Sequence, residues 1–231
     1  MTERIILIET STSLCSAALV EDGVVVDERV SSEPRAHASL TAPFVKELLD
    51  GRGIGVGDCS AVAVSKGPGS YTGLRVGVST AKGLCFGAGI PLISVGTLDT
   101  LVWQAIDGGM VPEGCRCIVP MVDARRMEVY TATFSPDGRQ LTDTVAQIVT
   151  GETFASLLKE GKVLFIGDGA LKCKDVIGDA NAVFEGCCPK AASMLHPALE
   201  ALHAGKFEDV AYFEPFYLKE FMTTTSKKKL F

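Results

Sequence analysis

Histidine is close to missing from this chain: His37, His196 and His203 are the whole supply in 231 residues. They form neither HExxH nor HxxxH, so the usual helical zinc pairs are excluded. There is no CxxC, no GxSxG elbow, no G-K-[ST] closing a Walker loop and no G-x-G-x-x-G. These gaps argue against zinc ribbons, α/β-hydrolase chemistry and the common nucleotide fingerprints. Eighteen apolar residues never run together, so no membrane span is expected. The run IILI is too short for a signal segment, and Glu9 interrupts it. A basic excess is lacking too: 22 Lys+Arg against 28 Asp+Glu leave a formal net charge of −6. Such a chain is poorly suited to wrapping nucleic acid alone, and contact with RNA is expected only indirectly, through a partner.

What is abundant is apolar residues, 47% of the chain, enough for two small lobes with buried cores. Eight cysteines (15, 59, 85, 115, 117, 173, 187 and 188) are scattered through apolar runs and read as reduced thiols of a cytosolic protein. RIILIET, LCSAALV and VVVDERV read as three strands, with Glu21-Asp22-Gly23 a hairpin turn between the last two. A helix follows in RAHASLTAPFVKELLDG, with Thr41 as a possible cap or Pro43 as a kink. CSAVAVSKG is a buried strand, Tyr71 to Ala88 a helix, PLISV a strand and TLDTLVWQAI a helix. Three strands followed by strand–helix alternation imply a mixed α/β sheet. Glycines and Pro112 between Gly108 and Gly114 mark a lobe boundary. Beyond it the pattern partly repeats, in CRCIVPMVDARR, MEVYTATF, QLTDTVAQIV, TFASLLKEGK, VLFIGDGA and a helical run ending at Gly205. The expected division is 1–108, 109–218 and a tail, 219–231, whose KKK reads as a solvated terminus.

Three patterns could carry function. In KGPGSYTG, Gly67, Gly69 and Gly73 let backbone approach a ligand, while Ser70 and Thr72 can cap the following helix. Its free N–H groups would attract an anion. A phosphate cradle and a plain strand-to-helix turn have equal claims here. In IETST, Glu9 with Ser11 and Thr12 could hold a metal–phosphate complex, but no second acid or histidine stands beside them, which favours a Glu bonded to its own turn. Third, Gly69, Gly73, Gly77 and Ala81 recur every fourth residue, beside an apolar seam of Leu74, Val78, Ala81, Cys85 and Ala88. A nearly side-chain-free face admits another backbone closely, either the chain's own sheet or a second subunit. Asp123 and Arg125 in VDARR read as a surface ion pair.

IETSTSLCSAALVEDG, GPGSYTGLRVGVSTAKGL, PLISVGTLDTL, VDARRMEVY and EPFYL, in order across nearly the whole chain, resemble the TsaB family. Once called glycoprotease-like, this is the dimerisation subunit of the bacterial machinery for threonylcarbamoyladenosine (t6A) in tRNA. The resemblance implies the two-lobed actin-like ATPase fold of acetate kinase, sugar kinases, Hsp70 and actin, with mixed sheets. It implies a non-catalytic subunit that pairs through N-lobe helices with the transferase TsaD, joined by the ATPase TsaE. Where TsaD is missing, a homodimer through the same seam is expected, since an exposed apolar face seeks burial. The two metal-binding histidines of TsaD align with Thr97 and Leu101, which cannot ligate as imidazoles do. Glu9 stands where the fold's kinases carry Asp. No cofactor is implied, and nucleotide binding at the glycine turn would be weak and vestigial. The expected partner surface is His37, Leu40, Phe44, Gly73, Leu74, Gly77, Val78, Ala81 and Cys85. The competing expectation is an enzyme in its own right, a nucleotide phosphotransferase or a glycoprotease-like hydrolase.

Overall fold

A computed structural model describes residues 2–219. The first sheet has the order β3-β2-β1-β4-β5, formed by β1 (Arg4–Glu9), β2 (Cys15–Glu21), β3 (Val24–Ser31), β4 (Ala61–Gly67) and β5 (Leu92–Gly96). β1–β2 and β2–β3 are antiparallel, whereas β1–β4 and β4–β5 are parallel. Nearly all of β1, β2 and β4 is buried on both faces, as their unbroken apolar runs require. Helices α1 (His37–Asp50), α2 (Tyr71–Ala88) and α3 (Thr97–Asp107) connect or follow these strands.

The second sheet repeats this plan strand for strand. Its order is β8-β7-β6-β9-β10, from β6 (Cys115–Asp123), β7 (Glu128–Thr131), β8 (Val145–Ile148), β9 (Lys162–Ile166) and β10 (Ala182–Glu185). The antiparallel and parallel pairings fall in the same places. Helices α4 (Ala155–Lys159), α5 (Ala170–Ile177) and α6 (Leu195–His203) take the positions of α1, α2 and α3 in chain order. Of these elements, α5 and β10 have no counterpart in the strands and helices expected from the sequence.

Four apolar clusters stack these parts. α1 and α2 bury Val45, Leu48, Val78, Ala81 and Cys85 against Ile6, Ile8, Val62 and Val64. On the opposite face, Ile5, Leu7, Ala18 and Ile93 meet Ala191, Met194 and Ala198 of a 3-10 turn (Ala191–Met194) and α6. α3 inserts Leu98, Leu101, Val102 and Ala105 against Ile118, Phe134, Leu164 and Ile166 of the second sheet. α4 and α5 close that sheet's far side through Leu158, Cys173 and Ile177. Residues 109–218 therefore do not make one self-contained lobe: their last third returns to the first sheet.

Two local expectations change. α1 runs unbroken through Pro43, and Thr41 does not cap it; Thr41 is buried, with its hydroxyl donating to His37 O. Pro43 lies on the exposed side of the helix, where a missing N–H is tolerated more readily than in the core. The KKK of the tail lies outside the described residues.

Candidate functional site

Both candidate turns meet at the carboxyl edge of the first sheet. Ser70 accepts from Gly73 N at 3.3 Å and so caps α2, while Thr72 is exposed in the first turn. The β1 turn is pressed against this helix start, since Ser70 N donates to Ser11 O at 2.6 Å. The glycines are explained by that approach. A methyl carbon at Gly69 would lie 2.3 Å from Ser11 O, at Gly73 2.1 Å from Thr10 O, and at Gly77 2.2 Å from Thr10 Oγ1. Thr10 Oγ1 in turn donates to Gly73 O at 2.8 Å.

This corrects the expected partner surface. Gly73, Leu74, Gly77, Val78, Ala81 and Cys85 are buried inside the monomer, covered by β1, its turn and β4. Periodicity showed a face needing close cover; the cover is the chain's own first strand. His37, Leu40 and Phe44 are half-buried, with His37 Nε2 3.0 Å from Thr12 O and Phe44 packed on the same core. What α2 leaves open is the opposite stripe: Thr72, Arg75, Ser79, Gly83, Phe86 and Gly87.

Glu9 is fully buried, with Oε1 accepting from Ser11 N at 2.6 Å. Burial pushes its carboxyl up to about 7, against the lowering effect of the bonds from Ser11 and Ser65. Its Oε2, with Ser11 Oγ and Thr12 Oγ1, has no hydrogen-bond partner among the described residues. Among those residues, no three His, Cys, Asp or Glu side chains converge as a metal site would require. Thr97 and Leu101 are both fully buried, and Leu101 belongs to the apolar packing between the sheets.

The segment after α6 was missed as a structural element because it carries no helical or strand period. Glu208 N donates to Leu92 O and its carboxylate accepts from Ser94 Oγ. Lys82 Nζ, from α2, holds the carbonyls of Ala211 and Phe213, each at 3.0 Å. Phe216 N then donates to Lys66 O at 2.7 Å, and the Tyr217 ring lies 4.7 Å from that of Tyr71. Lys219 is then ion-paired to Glu128 of β7, so this strap runs from the first lobe across the glycine turn to the second. Beside it is a cavity of about 450 Å³, lined by Lys66, Gly67, Pro68, Asp99, Phe216 and the loop from Gln140 to Thr144. Asp99 is raised by burial, with Lys66 lowering it.

Two copies of one βββαβαβα plan, facing each other across helices and a cleft edged by strand turns, define the actin-like ATPase fold. The family model described as "TsaD: tRNA N6-adenosine threonylcarbamoyltransferase" matches residues 24–213. A "tRNA threonylcarbamoyladenosine biosynthesis protein TsaB" of Escherichia coli (strain K12) is 32% identical over 94% of both chains. The protein of that name from Bacillus subtilis (strain 168) is 34% identical over 76% of this chain and 75% of its own. The solved structure "YeaZ from Pseudomonas aeruginosa" superposes with a TM-score of 0.78 at 25% identity, covering 94% of this chain and all of that one (100%). The chain belongs to the TsaB family.

Proposed function

We propose that the chain serves t6A biosynthesis in tRNA as a non-catalytic subunit, binding a TsaD-type transferase together with the TsaE ATPase. The docking surface is the outer face of α1 and α2. One observation carries this reading: α2 presents a solvent stripe of small residues around Phe86, a residue that is 86% exposed. Gly83 and Gly87 have open space where a side chain would stand. Ala38, Ser39, Ala42 and Pro43 extend an uncharged surface onto the first half of α1. Arg75 is the single charge of the α2 stripe. Covering one phenylalanine contributes about 1.5–3 kcal/mol, and an exposed apolar patch on a small-residue helix pair suits a helical partner.

The non-catalytic part is supported by what occupies the cleft. The strap covers the glycine turn, and the position aligned with the second metal-binding histidine holds Leu101 in apolar packing. Among the described residues no helix is long and apolar enough to cross a membrane.

The test uses Phe86→Asp and Gly83→Glu, which alter only the exposed stripe. Both variants are expected to fold normally and to lose affinity for TsaD at least tenfold. The wild-type chain alone should turn over neither nucleotide nor peptide, and adding TsaD and TsaE should restore threonylcarbamoyl transfer. Wild-type affinity in both variants would remove the docking assignment.

A further inference from the structure

The hairpin joining β6 and β7 is built in an unfavourable way. Arg125 and Arg126 both adopt left-handed backbone, with φ of 69° and 52°. Such angles suit glycine and asparagine; a pair of arginines adopts them at a cost. Arg125 N is tied to Asp123 Oδ1 at 2.7 Å, but neither side chain offsets the cost: both are exposed, with no side-chain hydrogen bond or ion pair among the described residues. Nearby acids are bonded to groups other than these two side chains. Asp123 Oδ1 takes Lys172 Nζ and Arg125 N, Glu128 Oε2 takes Lys219 Nζ, and Asp168 Oδ1 accepts from Asp123 N.

The surface leading to this hairpin alternates cations with aromatic rings. Arg75 Cζ lies 5.3 Å from the Tyr71 ring centre, Tyr71 meets Tyr217, and two residues later Lys219 reaches Glu128 at the hairpin's end. A ring beside a guanidinium suits a nucleic acid strand, whose bases stack while its phosphates pair with cations. An acidic protein would use the charges without the ring faces. We infer that this rim, with Arg125 and Arg126 at its hairpin end, contacts RNA phosphates directly. The net charge of −6 does not oppose this, because screening confines each charge to its surroundings. The inference rests on the proposed role in tRNA modification and adds to it a contact made by this chain itself.

The test replaces the hairpin pair with the residues its backbone prefers, Arg125→Asn with Arg126→Gly. Thermal stability should hold or rise, and assembly with TsaD should be unchanged. Binding of an unmodified tRNA transcript to the assembled complex should weaken at every salt concentration. Its log–log salt slope should fall in magnitude by about 1.4–1.8, the contribution of roughly two phosphate contacts. Lys159→Ala with Lys206→Ala, the same charge change elsewhere, should leave the slope as it was. An unaltered slope in the hairpin variant overturns the inference. So does loss of TsaD binding with tRNA affinity per assembled complex preserved, which would make the rim a protein contact. Failure of the wild-type chain to assemble would instead count against the proposed function, and titration of tRNA against the chain alone would still read the arginines.

Discussion

The two lobes use one plan to make opposite strand turns. In the first, β1 ends at Glu9, buried with no cation paired to it among the described residues, and the turn is clamped by Gly69 ahead of α2 and by Gly73 and Gly77 within it. In the second, β6 ends at Asp123, exposed and paired with Lys172. The glycine turns match closely: Gly67-Pro68-Gly69 from the last residue of β4 and Gly167-Asp168-Gly169 just after β9, with φ of 107° at Gly67 and 131° at Gly167. Yet a methyl carbon at Gly169 would lie 3.0 Å from Met121 O, where the one at Gly69 would lie 2.3 Å from Ser11 O. Duplicated topology preserves backbone path; what each copy does depends on how tightly it is packed and how its acid is matched.

The largest test of that contrast is steric. Gly77→Leu must force α2 off β1, and should cost about 4 kcal/mol or more, read as a failure to fold or a collapse of the denaturant midpoint. Gly69→Ala should cost several times more than Gly169→Ala, for which about 1 kcal/mol is expected; equal losses would erase the difference between the turns.

Next is the acid. Glu9 is held near 7 when folded and titrates near 4.5 otherwise, so between those values the native state keeps a proton that the unfolded chain releases. Its contribution to stability is therefore full below about pH 4.5 and is lost as pH rises through about 7. Glu9→Gln should remove that dependence and stabilise the chain at pH 8 by on the order of 3 kcal/mol, seen as a Tm gain at pH 8 and none at pH 4.5. A Tm gain of the same size at both values would place Glu9 as charged throughout.

The smallest effect belongs to the second lobe. Lys172→Ala frees a half-exposed Asp123 and the Glu128 carbonyl, and should cost only about 0.5–1 kcal/mol, shrinking further in high salt. A loss as large as that at Gly77 would show that both turns are core features.

Much of this fold could be read before the coordinates. α2 spans Tyr71–Ala88 as expected because Ser70 caps one end and Gly89, at φ of 69°, terminates the other. α5 and β10 were not legible: one has eight residues, including Lys172, Lys174 and Asp175, and the other has four, so neither sustains a period. The burial of the small-residue seam was visible, but not its cover, since a row of glycines records only that something comes close. Here the something was Thr10, sixty-three positions before Gly73. The exposed stripe of Gly83 and Phe86 was within reach of the same helical spacing, on the side not followed. The strap, joined largely through backbone carbonyls, leaves little sequence trace.

The 3-10 turn and α6 have a consequence for how the molecule comes into being. They seal the underside of a sheet whose five strands all precede Thr97, yet they follow the whole second sheet in the chain. A ribosome therefore releases the opening half of this protein with one greasy surface still bare. That surface must wait until Ala198 has emerged from the exit tunnel, so the lobe begun first is also the one completed last.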